Sequence, residues 1–300
     1  MEEMMSRKFL RSLAAFVAAI ALPALGEPPT PKDPKSPIPD HVDGRGPTGP
    51  VELRILSPKP DEVIPLPEAV AGHPAPKGAS VTVRFELKNY ESFQDPKTQS
   101  GQGVGIVFDN GPVSVDFHPE KPWVFRNVPK GTHTIRAFAV RPWHEALKEP
   151  GAFAMVTFHV GERDGKNAPD PKAPLLTANR PKGRYPKGEA HKVMLDFLVT
   201  GCVVAEREVP ETCRVRYKIG ERPEVTLTKE EAVWLTDLPP GKHAYVIALT
   251  REGKIIEGPF NLHRGSFEIV DDAGGTPAAA PGVPKPPAES QPPKAGGPAP

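Results

Sequence analysis

The chain repeats itself. Val81-Thr-Val-Arg-Phe-Glu-Leu87 returns as His191-Lys-Val-Met-Leu-Asp-Phe197, and Val128-Pro-Lys-Gly-Thr-His133 returns as Leu238-Pro-Pro-Gly-Lys-His243, both at an offset of 110 residues. Apolar residues alternate before and after each echo, the period of strands with one buried face. A constant offset with that period predicts two copies of one all-β domain. In the first copy, Val51 to Leu56, Val81 to Leu87, Gln102 to Phe108, Val113 to Phe117, Trp123 to Phe125, Thr132 to Val140 and Phe153 to Val160 read as strands. Asp109-Asn-Gly111 supplies a hairpin turn, because Asn and Gly tolerate positive φ. About seven strands in such a span predict an immunoglobulin-like or fibronectin-like β-sandwich. The one helical candidate is a single turn at Glu145-Ala-Leu-Lys148.

The flanks differ in kind. Prolines number 41, far above the usual share of about 5%, with eight in residues 27–50 and nine in 272–300. Arg7, Lys8 and Arg11 precede the apolar run Leu13–Leu22 and the small residues of Ala24-Leu-Gly26, the order of a secretory signal. The expected layout is a signal peptide at 1–26 and a Pro-rich linker at 27–49. A first domain at 50–161, a linker at 162–172, a second domain at 173–271 and a disordered Pro/Ala/Gly tail at 272–300 follow. The mature chain is expected to be exported, periplasmic or extracellular, without a transmembrane segment. A net charge of +1 offers no bulk field for nucleic acid.

Export bears on Cys202 and Cys213, the only two cysteines. In an oxidising compartment such a pair reads as a disulfide, here across a loop between the second and third strands of the second domain. Ser92 and Gly103 stand at the corresponding places in the first copy, so the bond is not part of the shared fold. Two free thiols or a weak zinc pair are the alternatives.

Candidate chemistry sits where the copies differ. Arg141-Pro-Trp143-His144-Glu145, with Lys148, occupies the loop between the last two strands of the first domain. An indole face stacks on a sugar or holds a cation, and Arg and Glu supply charged hydrogen bonds. The bland alternative is a tryptophan plugging the sandwich end. Arg180-Pro-Lys182-Gly-Arg184-Tyr185-Pro-Lys-Gly188 reads as a basic loop between the first two strands of the second domain, suited to a phosphate, sulfate or acidic polysaccharide. An extended pair of domains would hold these two loops far apart; only a linker that folds the pair side by side joins them. His133 and His243 recur at one corner and read as scaffold. Asp116, His118 and Glu120 share a strand face, but Pro119 and Pro122 interrupt it, and a solvated edge is the better reading. No nucleophile elbow, zinc-protease helix or phosphate loop occurs, so no catalytic residue, metal or cofactor is expected.

Arg136-Ala-Phe-Ala-Val-Arg-Pro-Trp-His-Glu-Ala-Leu-Lys-Glu-Pro-Gly-Ala-Phe153, Leu175-Leu-Thr-Ala-Asn-Arg-Pro-Lys-Gly-Arg-Tyr-Pro-Lys-Gly188 and Val193-Met-Leu-Asp-Phe197 resemble a group of uncharacterised exported bacterial proteins with tandem immunoglobulin-like domains. The resemblance spans roughly residues 51–270 and implies fold and export, without a mechanism. The expected function is a non-enzymatic binding module of the cell envelope, with a glycan or surface polymer as ligand. The alternative is a structural or assembly protein that pairs with another envelope protein; a metal carrier or secreted enzyme ranks below both.

Overall fold

Alternation along the strands sorts side chains into two cores, and the computed structural model shows two immunoglobulin-like β-sandwiches in tandem. It describes residues 46–68, 77–97 and 100–271; the expected signal peptide, most of the expected Pro-rich linker and the expected Pro/Ala/Gly tail lie outside them. The first sandwich comprises β1 (Glu52–Ser57), β2 (Val63–Ile64), β3 (Ala79–Lys88), β4 (Phe93–Gln94), β5 (Gly101–Phe108), β6 (Ser114–Asp116), β7 (Trp123–Val128), β8 (Gly131–Val140) and β9 (Phe153–Val160). One sheet runs β1-β3-β7 and the other β2-β9-β8-β5-β4, with β6 also on β5. Val81, Val83 and Phe85 of the first sheet meet Ile106, Ile135, Ala137 and Phe158 of the second.

The second sandwich repeats the plan with β10 (Leu175–Arg180), β11 (Gly183–Pro186), β12 (Met194–Thr200), β13 (Val203–Val204), β14 (Thr212–Ile219), β15 (Val225–Leu227), β16 (Val233–Trp234), β17 (Gly241–Arg251), β18 (Lys254–Ile255) and β19 (Leu262–Val270). Its sheets are β10-β12-β16 and β11-β19-β17-β14-β13, with β15 on β14 and β18 on β17. Leu195, Phe197, Val215, Ile247, Leu249 and Phe267 form its core. Among the described residues no helix is long and apolar enough to cross a membrane.

Both copies switch sheets in the same way. The register of β1 against β3 shifts between Ile55 and Ser57, and that of β10 against β12 between Ala178 and Arg180. A proline follows each shift, Pro58 and Pro181, both after cis peptide bonds. Proline has no N–H for a ladder and suits the break. The chain then resumes as β2 parallel to β9, and as β11 parallel to β19. The basic segment at 180–188 is therefore not a loop: residues 183–186 are an edge strand, and Lys187–Lys192 is a 3-10 turn. Glu145–Lys148 forms no helical turn; Ala146 instead bridges back to Val140, and the 3-10 turn falls at Pro150–Ala152.

The turn histidines are scaffold. His133 Nε2 donates to the Pro129 carbonyl at 2.9 Å, and His243 Nε2 to that of Pro239 at 2.8 Å, so each ring closes its own corner. His133 Nδ1 also meets Asp109 at 2.8 Å. Burial disfavours its charged form, but bonds to Asp109 and Pro129 prevail and raise its pKa above the usual histidine value.

The sandwiches pack face to face. Along β8 the residues Ile135, Ala137 and Ala139 point into the first core, yet Thr134, Arg136, Phe138 and Val140 on the other face are buried too. The second sandwich covers them. Leu198 of β12 joins Val107, Val113, Phe138, Val140 and Ala146 in one apolar cluster. Gly105 makes this contact possible, because a Cβ there would lie 2.6 Å from the Phe138 ring. The linker directs the docking. Asp164 accepts the Thr132 N–H at 2.9 Å, and the Asn167 carbonyl accepts the Thr134 hydroxyl, so the linker runs back along β8.

Cys202 and Cys213 are disulfide-bonded, with Cα atoms 6.0 Å apart. The strand register places Gln102, rather than Gly103, opposite Cys213: Gly103 faces Val140, Arg214 faces Thr250, and those partners stand equally far past their turn histidines. Cys213 is fully buried in the second core. Loop closure of this length stabilises by about 2–3 kcal/mol. A Cys202→Ser/Cys213→Ser double variant is expected to lose that much in urea unfolding, with binding properties of the seam unchanged.

Candidate functional site

Two charged side chains in otherwise apolar strands organise the seam. Asp196, an outward residue of β12, is fully buried. Its Oδ1 accepts from Lys148 Nζ at 2.6 Å, and its Oδ2 from the Ala146 N–H at 2.8 Å and from Asn179 Nδ2 at 2.6 Å. Lys148 Nζ also donates to the Phe197 carbonyl. Arg136, in the middle of β8, reaches across to the Leu176 carbonyl at 2.7 Å and Thr177 Oγ1 at 3.1 Å. Its guanidinium also donates to the Asp109 carbonyl and lies 4.2 Å from the Phe260 ring centroid. Burial lowers its pKa to about 9, against the opposing pull of Asp109. On the other side Asn110 Nδ2 donates to the Leu262 carbonyl at 2.9 Å, and its Oδ1 meets His263 Nδ1 at 3.1 Å.

The structure brings the two candidate segments together at one edge of this seam. Arg141 to Glu145 form a tight turn, with the His144 N–H donating to the Arg141 carbonyl at 2.7 Å and the Arg141 N–H to the Glu145 carbonyl at 2.8 Å. His144 carries a φ of 68°, in the left-handed region. Its carbonyl accepts Asn179 Nδ2 of the second sandwich at 2.7 Å. Lys182 Nζ crosses the other way, to the Val113 carbonyl at 2.6 Å. Lys148, His144 and Lys182 thus hold the sandwiches together.

The remaining candidates are differently placed. Trp143 is half-buried; its Nε1–H donates to Glu145 Oε2 at 2.7 Å, and the Arg141 guanidinium lies 5.6 Å from its ring centroid. Glu145 orients the indole and makes no ion pair with Arg141. Arg184 pairs with Glu268 at 3.1 Å on the exposed side of β11. Tyr185 packs edge-on to Phe267 at 6.0 Å, and its hydroxyl accepts the Lys182 N–H at 3.3 Å. Arg180, half-buried, makes no side-chain hydrogen bond or ion pair among the described residues. Burial lowers its pKa, opposed by Tyr185, Asp196 and Tyr245. Burial also lowers Lys182 to about 8, and Arg180 pushes the same way. His144 falls well below the ordinary histidine value through burial, then through Arg180 and Lys182.

Elsewhere Asp116 Oδ1 accepts the His118 N–H at 2.9 Å, and His118 lies 3.5 Å from Glu120. Among the described residues no group of three or more His, Cys, Asp or Glu is arranged to hold a metal. Sequence reasoning missed Asp196, Arg136 and Asn179. The signal was there: each stands at a strand position facing away from its own core, and Arg136 and Asp196 do so between apolar neighbours.

No family model matches the chain, and no curated protein matches it. Among solved structures it is similar to the fibronectin(III)-like modules of Clostridium thermocellum CbhA. That similarity has 10% sequence identity and a TM-score of 0.24, over 73% of this chain and 94% of that one. The fold assignment rests on the strand order and register of this chain.

Removing the Asp196 carboxylate leaves Lys148 without its counter-charge inside the seam. Asp196→Ala is expected to destabilise the protein by about 3–5 kcal/mol in chemical denaturation. The depressed His144 gives a pH dependence of definite sign. Its contribution is complete above the unfolded histidine value of about 6.5 and is lost as pH falls below it. His144→Asn, which tolerates the left-handed backbone, is expected to lose less stability than the unaltered protein between pH 7 and pH 5, compared by urea midpoints.

Proposed function

We propose that the protein is an exported, non-enzymatic binding module of the cell envelope, whose ligand is a glycan or surface polymer held at the edge of the seam. One observation carries this reading: the two segments that the repeat does not share, at 141–148 and 180–188, come together across the two sandwiches. Trp143 is held there by Glu145 with Arg141 beside its ring, so a flat apolar face and a guanidinium are presented on a stiff turn. Such a pair suits a sugar, stacking on the ring face while the guanidinium bonds its hydroxyls or acid groups. The disulfide fits an oxidising compartment, and the resemblance to exported bacterial proteins agrees with it. Both support a periplasmic or extracellular location.

The test is retention of the mature chain on purified wall polymers and glycan arrays. Trp143→Ala is expected to weaken binding about tenfold, the loss of one stacking contact, with an unchanged circular dichroism spectrum. Equal binding by the variant removes the turn from the site. A stoichiometric protein captured by crosslinking in cells, with no polymer retained, supports the assembly role instead.

A further inference from the structure

Four polar side chains at the same edge are left with unspent bonding capacity. Arg180 offers five N–H donors and uses none on the described residues. His144 Nδ1 is buried without a partner, and so is Asn179 Oδ1. Lys182 spends one ammonium proton on the Val113 carbonyl and keeps two. Asp196, the carboxylate that acts on Arg180, already takes hydrogen bonds from Lys148, Ala146 and Asn179, and Glu145 of the same turn is held by the Trp143 indole. The groups are electrostatic neighbours: Arg180 acts on Lys182, and both act on His144. Two half-buried cations therefore stand close together at the seam edge, and among the described residues no carboxylate forms an ion pair with either. Buried unsatisfied polar atoms are rare, and two side by side, next to two cations, call for a ligand that completes them.

We infer that the recess formed by His144 from the first sandwich and Asn179, Arg180 and Lys182 from the second binds an oxyanion, a phosphate, sulfate or carboxylate group carried by an acidic polymer. The inference rests on the reading of this edge as a polymer site and narrows its ligand to the acidic class. Arg180 suits the two-oxygen face of such a group, Lys182 acts as a point charge, and His144 supplies a ring nitrogen. Asn179 Oδ1 is an acceptor, so it takes a hydroxyl of the same ligand: a sugar O–H, or the O–H of a singly protonated phosphate. His144 directly follows Trp143, so a sugar on the indole places its acid substituent toward the recess.

The unaltered mature chain is titrated with inorganic phosphate, sulfate and acetate against chloride at equal ionic strength. The His144 ring and Asn179 side-chain amide resonances are followed by NMR. At least one oxyanion is expected to shift both groups saturably and raise the His144 pKa. Arg180→Gln is expected to weaken that binding about tenfold to a hundredfold, the loss of charge-assisted hydrogen bonds, while Lys218→Gln on the exposed side of β14 leaves it intact. In the polymer arm, polygalacturonate and dextran sulfate are expected to bind and uncharged dextran is not. If none of the three ions moves His144 and Asn179 beyond the chloride control, the inference is overturned, whether or not Arg180→Gln folds. Binding of dextran equal to that of the acidic polymers, through Trp143, overturns it as well and leaves the polymer reading standing. Ion binding without retention of any polymer keeps the oxyanion recess and removes the polymer reading.

Discussion

Strand β8 has no solvent side. All ten of its residues are buried, one face in the first core and the other against the second sandwich. A central strand of a half-exposed sheet alternates apolar and polar residues. Here Phe138 and Val140 replace the polar half, and the chain must supply a cover for them. The linker at 161–172 does so without free play, because Thr132 and Thr134 hold it along the strand it serves. The apolar contact brings the sandwiches together, and the polar contacts set their register. Asp196 takes bonds from two residues of the first sandwich and one of the second, and sliding the sheets by one residue would leave it charged and unpaired.

The two remaining outer faces differ from the docking faces. The outer face of β1-β3-β7 is the counterpart of the docking face of β10-β12-β16, but it carries Glu52, Arg54, Glu86 and Lys88 in a solvated set of ion pairs. The outer face of β14 and β17 is the counterpart of the face that receives the second sandwich. There Arg214, Arg216 and Lys218 stand on β14, and Ala248 replaces the docking phenylalanine. Each copy keeps the shared interior and changes one outer face to polar, and charges on a free face oppose further stacking.

How much of this was legible depended on which period carried the information. Inward positions announced themselves through alternation, and the offset of 110 residues aligned the second, sixth and turn elements of both copies. The first strands do not obey that offset, because the segments following them differ in length; the equivalence of Pro58 and Pro181 appears only in the sheet switch. Arg180 to Gly188 looked like a loop because Gly, Pro and Lys dominate it, yet pairing of residues 183–186 with the β19 edge supplies the backbone bonds that side-chain propensity does not. Arg136 and Asp196 were the harder case. A charge at an outward strand position ordinarily means water, and only the presence of a second sheet on that face turns it into a buried contact.

His144, Asn179 and Lys182 each join the sandwiches and also carry polar groups left over beside the contact, so the proposed site depends on docking. His144 reaches the recess only while the turn at 141–145 is pinned by Asn179, and Arg180 and Lys182 face it only while β10 lies across β8. A group held by both sides binds the docked form and not a separated one, so it stabilises the seam as it binds. Conversely, the closeness of Arg180 to Lys182 is a repulsion that the Asp196 and Arg136 contacts must outweigh for the recess to exist at all. The proposed site is therefore a property of the pair of sandwiches: its groups come from both copies, and only the docked arrangement brings them together.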